Sequence, residues 1–228
     1  MERSNDYILT VSNLMVRIQG QAILDHISFK LKRGATLAIV GPNGAGKSVF
    51  FRTLLNLVPY TGKIEWSTKV KLGYVPQNLS VKDMPISVRE FLSFKHNPNI
   101  EESLSLVGLN SKEILDKSLG ALSGGQLRRV LIAWAIIDKP NVLLFDEPTT
   151  GVDLDSEEAI YKMLVELSKK NDITMLIISH NLHIITEYSD YTLALNSCMN
   201  YFGESKEIAN PSLQTVIYGE PVCRGTHE

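Results

Sequence analysis

Gly41-Pro42-Asn43-Gly44-Ala45-Gly46-Lys47-Ser48 fits the pattern G-x4-G-K-[ST]. It follows a continuous apolar run, Thr36 to Val40 (TLAIV), of the kind that suits a strand buried on both faces of a sheet. It precedes Lys47 to Leu57, where Phe50, Phe51, Leu54, Leu55 and Leu57 recur at helical spacing. Strand, glycine-rich turn and helix together form the context in which this pattern cradles phosphate. The glycines let backbone N–H groups turn toward one point, and the helix N-terminus adds positive potential there. Lys47 is placed to reach the β- and γ-phosphates of a nucleotide, and Ser48 to ligate a magnesium ion.

An acidic counterpart lies at Val142-Leu143-Leu144-Phe145-Asp146-Glu147. An apolar strand ending in two carboxylates delivers them to the carboxyl edge of a sheet, where ligands bind in open α/β folds. Asp146 is suited to hold magnesium through its water shell, and Glu147 to polarise an attacking water. Around these segments the chain alternates strand and helix. Strands are expected at Tyr7 to Val11, Ala22 to Lys32, Gly62 to Trp66, Leu72 to Val75, Ile173 to Ser179 and Tyr191 to Leu195, and helices at Ser156 to Lys169 and Leu182 to Tyr188. That alternation argues for a mainly parallel sheet covered by helices. From about Gln77 to Ala135 strand signals vanish and amphipathic helical patterns replace them, as in Val88 to Phe94 and Ile100 to Val107. This stretch reads as a helical insertion into a single domain spanning residues 1–228. The last twenty or so residues are weakly patterned and are expected to fray.

Composition narrows the function classes. With 228 residues, 44% hydrophobic and 21% charged, the chain suits an ordinary globular protein with a sizeable core. A formal net charge of −2 gives it no electrostatic pull toward nucleic acid or anionic lipid. No apolar run approaches the ~18 residues of a membrane span, and Met1 to Asp6 carry no signal-peptide pattern. A cytosolic chain is therefore expected. Its two cysteines, Cys198 and Cys223, are expected as free thiols.

Leu122-Ser123-Gly124-Gly125-Gln126 precedes a helical stretch with Leu127, Val130, Leu131 and Trp134 on one side. Ser123 is a good N-cap, and the glycines leave backbone N–H groups bare, which makes a second anion-binding helix end. Two such ends in a chain with one nucleotide suggest that the second serves another chain's nucleotide. At this point nearly the whole chain resembles the ABC ATPase family. Leu122 to Gln126 is similar to that family's signature motif. Gln77, after Tyr74-Val75-Pro76, resembles the Q-loop, which touches magnesium and couples to membrane subunits. Asp153, in Thr150-Gly151-Val152-Asp153, resembles the D-loop that passes between monomers. His180, in Ile178-Ser179-His180, resembles the switch histidine that contacts the γ-phosphate.

The resemblance implies a P-loop NTPase of α/β class with a mainly parallel sheet, an N-terminal antiparallel β region and the helical insertion at about 77–135. It implies ATP and Mg²⁺ as cofactors, a head-to-tail homodimer with ATP sandwiched between chains, and transmembrane permease subunits at the cytoplasmic face of the membrane. An extracytoplasmic binding protein would be an indirect partner. One departure stands out: Ile18 occupies the position where the family places an aromatic ring against adenine, so stacking is weaker there. Within the family, Gly73 to Gln77 followed by Met84-Pro85-Ile86-Ser87-Val88, Asp146 to Asp153, Ser179 to His183, and the stretch from Leu195-Asn196 to Gly203 look most like zinc- and manganese-type import ATPases. The His180-x2-His183 pair lacks the further ligands zinc needs, and so does the pair Cys223 and His227. The alternative reading is an ABC-type ATPase acting on a cytosolic assembly without a permease.

Overall fold

Strands β1 (Tyr7–Ile18) and β2 (Gln21–Lys32) pair antiparallel, from Tyr7 opposite Lys32 to Ile18 opposite Gln21. The structure, a computed structural model, describes residues 6–67, 69–77, 84–95, 99–148 and 154–218. The hairpin turns through Gln19 and Gly20, both at positive φ (50° and 82°), the arrangement that matches the twist of the flanking strands. The sequence suggested a first strand ending at Val11. It continues because register shifts between Val11 and Leu14, with Asn13 at φ 51°, break the strict alternation of buried and exposed residues without ending the pairing.

The chain divides into two compact units, Met1–Val70 with Thr174–Glu228, and Lys71–Ile173. The first unit continues into β3 (Thr36–Val40), whose five residues are all buried, as an apolar run flanked on both sides must be. Helix α1 (Lys47–Leu54) follows. It is shorter than its pattern suggested: Asn56 adopts φ 57°, a left-handed conformation common just past a helix end, and Leu57 is left 69% exposed. Strand β4 (Thr61–Trp66) then returns along β1.

The second unit holds β5 (Leu72–Val75), α2 (Val88–Ser93), α3 (Ile100–Leu106), α4 (Ser111–Ile114), α5 (Gly124–Ile136), β6 (Val142–Asp146) and α6 (Leu154–Asn171). Among the described residues, side chains cap four of its helices. Ser87 and Ser123 do so in capping boxes with Glu90 and Gln126, and Asn99 and Asn110 by accepting from N–H groups of the first turn. β5 and β6 run parallel in an uninterrupted register, Leu72 opposite Val142 through Val75 opposite Phe145. Helices α2 and α3 pack on α5. The rings of Phe91 and Trp134 stack at 5.8 Å, the Lys95 ammonium sits 3.9 Å from the Trp134 ring centre, and Arg129 donates to the Val107 carbonyl at the end of α3.

The chain returns to the first unit with β7 (Thr174–Ile178), α7 (Leu182–Tyr188), β8 (Tyr191–Asn196), β9 (Cys198–Glu204) and α8 (Pro211–Tyr218). β3 lies between β7 and β8, parallel to both, and β8–β9 is an antiparallel hairpin whose far strand reaches β2. The fold is thus α/β, with a mostly parallel sheet, an antiparallel β region and helices. Of the stretch expected to fray, residues 219–228 lie outside the described residues, and the part before them is ordered: Ile217 of α8 packs fully buried, with Ile208, against Ala38, Val40, Ile185 and Ala194. Cys198 also corrects an expectation, since it is disulfide-bonded and not a free thiol.

Candidate functional site

In the first unit the phosphate loop leaves the carboxyl end of β3 at Gly41. A side chain there would collide with the carbonyl oxygen of Leu195, so the loop's close seat on β8 requires glycine. Gly46 ends the loop at φ 91° as the N-cap of α1 and has no side chain of its own to cap the first helical N–H groups. Lys47 is 8% exposed, and its Nζ donates to the Gly41 and Pro42 carbonyls at 2.8 and 2.9 Å. Asn43 and Gly44 are exposed, Pro42 and Ser48 half-buried, and Ala45 buried. β3 and β7 are parallel with Ile39 opposite Ile178, so His180 emerges at the same strand ends as the loop. It is exposed, between buried Ser179 and Asn181, the cap of α7. His183 lies 3.5 Å from Glu187.

A support that the sequence reading passed over is the turn of the β8–β9 hairpin. Ser197, at φ 62°, donates its N–H to the Ala45 carbonyl and accepts from the Asp25 N–H. The only available signal was Asn196-Ser197 between two apolar runs. Ile18 is 41% exposed at the end of β1.

In the second unit the β5–β6 register, carried two residues past its last pair, sets Gln77 beside Glu147. Gln77 Nε2 donates to Glu147 Oε2 at 2.5 Å. Asp146, at the end of β6, is only 4% exposed. Glu147 is held at φ 48°, sparsely populated for a non-glycine residue and frequent at functional sites. Arg128 donates to the Pro76 and Gln77 carbonyls, and its burial pulls its pKa below the ordinary arginine value.

Ser123 caps α5. Its Oγ accepts from the Gln126 N–H at 3.2 Å, while its own N–H donates to Gln126 Oε1 at 3.1 Å. Ser123 and Gly124 are exposed, and a Cβ added at Gly125 would meet nothing within 4 Å among the described residues. Asp153, Cys223 and His227 lie outside the described residues. Magnesium prefers oxygen donors and keeps few protein ligands. The Ser48 hydroxyl, the buried Asp146 carboxylate and the Gln77 side-chain carbonyl suit it chemically.

A glycine-rich phosphate loop after a buried parallel strand, together with an acidic strand end, defines a nucleoside triphosphatase of the P-loop class. The ABC transporter family profile matches residues 24–150, more than half of the chain. The zinc import ATP-binding protein ZnuC of Histophilus somni is 33% identical over 222 residues, covering 95% of this chain and 83% of that protein. ZnuC of Photorhabdus laumondii is 36% identical over 192 residues, covering 83% and 75%. Among solved structures, CbiO1 of Clostridium perfringens, part of the CbiONQ ABC transporter complex, superposes with TM-score 0.80 at 29% identity, covering 92% of this chain and 93% of that one. An ATP-binding cassette of an ABC transporter in its ADP conformation gives 0.77 at 25% identity, covering 94% and 99%. The chain belongs to the ABC transporter family, as an ATP-hydrolysing subunit.

Proposed function

We propose that the chain powers the import of a divalent metal ion, zinc or manganese, by binding and hydrolysing ATP. The observation that supports this most directly is its likeness to zinc import ATP-binding proteins over most of both chains. In this reading it is one nucleotide-binding domain with the helical insertion at about 77–135. Gly41 to Ser48 hold the phosphates, and Ser48, Asp146 and Gln77 hold Mg²⁺, which supplies charge neutralisation at the γ-phosphoryl group. Glu147 takes the proton of the attacking water. His180 contacts the γ-phosphate, and Ile18 lies against the base. Ser123, Gly124, Gly125, Gln126 and Asp153 act across a head-to-tail homodimer.

An ABC transporter unites its ATPases with a permease, and no helix of the described residues is long and apolar enough to cross a membrane itself. We therefore place the chain peripherally, at the cytoplasmic face of a membrane permease, with an extracytoplasmic binding protein feeding that permease. Two measurements test this. Cells lacking the chain should accumulate less zinc or manganese under chelation, and the wild-type chain should restore uptake where Glu147→Gln does not. The chain should also co-purify with a multi-span protein from detergent-solubilised membranes. Normal uptake of both metals in its absence would end the import reading, and capture of soluble partners only would favour a cytosolic assembly as its target.

A further inference from the structure

Gln77 stands two residues past the last paired residue of β5, so the sheet alone does not hold it. Arg128 does. It lies on α5 five residues past the Ser123 cap and is 8% exposed. Its Nη1 donates to the Pro76 carbonyl and its Nη2 to the Gln77 carbonyl, each at 3.2 Å. Among the described residues its guanidinium meets these two neutral acceptors and no carboxylate. A buried cation answered only by carbonyls contributes little net stability, because its desolvation offsets the hydrogen bonds. What the planar fork does supply is geometry: two donors in one plane fix two successive carbonyls, and with them the direction of the backbone. From that fixed backbone the Gln77 amide reaches Glu147 Oε2 at 2.5 Å. The Glu147 backbone is itself confined at φ 48°.

We propose that Arg128 is a positioning residue for ATP hydrolysis, acting through Gln77 to hold the Glu147 carboxylate where the attacking water needs it. The inference rests on the reading of Glu147 as the general base. It gives α5 a second task, because the helix that opens with the signature segment is tied one turn later to the carboxylate of its own chain. A base that is free to swing loses the pre-arrangement on which proton transfer depends.

The test is a double-mutant cycle on the full-length chain with Mg-ATP. Arg128→Met keeps most of the apolar stem and removes the fork. It is expected to lower kcat by about tenfold or more. The KM for ATP should stay within about twofold of the parent, as befits a residue outside the phosphate cradle. Arg128→Lys keeps the charge and should recover only part of the rate, since an ammonium on a shorter, flexible stem lacks the rigid planar fork that fixes the direction of the two carbonyls. In a Gln77→Ala background, Arg128→Met should cost no further rate, because its effect runs through Gln77. An unchanged kcat in Arg128→Met, or the same fold-loss in both backgrounds, overturns the proposal. Should Arg128→Met fail to fold, Arg128→Lys taken through the same cycle gives the same decision. Glu147→Gln is measured alongside. If it hydrolyses ATP normally, the base assignment falls and this inference with it. If it is inactive while the cycle is additive, only the role of Arg128 falls.

Discussion

Lys47 holds its own loop: two of its three N–H donors go to the Gly41 and Pro42 carbonyls. Lys47→Ala therefore removes two ties that shape the loop and, in the proposed reading, the charge that meets the phosphates. Charge-assisted hydrogen bonds are worth roughly 1.5–3 kcal/mol each. ATP affinity should fall by about tenfold to a hundredfold or more, read by titration with a fluorescent ATP analogue, and an unchanged Kd would remove Lys47 from the cradle. Glu147→Gln separates binding from chemistry. The amide fills the same volume and its carbonyl still accepts from Gln77 Nε2, but it takes no proton at neutral pH. ATP binding should persist while turnover stops, and normal hydrolysis by the variant would show that another group is the base. Ile18 belongs to the same scale. It is exposed at a hairpin end, where a branched aliphatic side chain offers a base much less than a ring does. The parent should distinguish ATP from GTP weakly, and Ile18→Tyr should tighten ATP binding by up to about 1–3 kcal/mol, as base stacking does elsewhere. Competition binding that finds a strong ATP preference in the parent would mean that another ring fills the role.

The signature helix carries a prediction of its own. Gly125 sits in the first turn of α5 with open space around its missing side chain. Nothing among the described residues opposes Gly125→Ala, and the substitution should raise helix stability by a few tenths to about 1 kcal/mol. ATP turnover should fall nonetheless if that helix end must approach a nucleotide closely. A variant that melts higher and hydrolyses more slowly would identify a surface used by something outside the chain. Unchanged turnover would mean that the helix end is only a cap. The same scale shows what could be read in advance. β3, β6 and β7 are continuous apolar runs buried along their whole length, and residues at the ends of such strands are legible from spacing alone. The adjacency of Gln77 and Glu147 was not legible, because it follows from which strands pair and in what register, and a parallel pairing leaves no local trace in sequence. β9 and α8 were missed for a related reason. Cys198 to Glu204 alternates poorly, with intermediate burial through most of its length, and Pro211 to Tyr218 buries only Ile217. Arg128 was likewise invisible, since a charged residue in a helical pattern normally marks the solvated face.

At the scale of the whole molecule, helices α1 and α5 begin at Gly46 and at Ser123; in the proposed reading both ends bind anions, and a two-fold head-to-tail dimer gives the second one a use. Each γ-phosphate would then lie between Lys47 of one chain and Ser123 of the other, where donors on both sides stabilise the charge that develops during transfer. Ser123→Arg places bulk and a long side chain on an exposed cap. ATP binding by the monomer should stay near normal, while hydrolysis and ATP-dependent dimerisation are lost. Mixing this variant with Lys47→Ala is the sharper experiment, because the two defects then separate between sites. In the mixed dimer one site takes Lys47 from the Ser123→Arg chain and Ser123 from the Lys47→Ala chain, so it is intact. The other site combines both lesions. Two preparations that are inactive alone should therefore regain hydrolysis when combined, up to about half the parent rate per dimer if one site fires without the other. The return should follow the population of mixed dimers as the ratio of chains is varied. A cis arrangement predicts the opposite, since each chain would carry its own lesion into every site and no ratio would restore turnover. Full activity of the Ser123→Arg chain as a dilute monomer would refute the shared site outright.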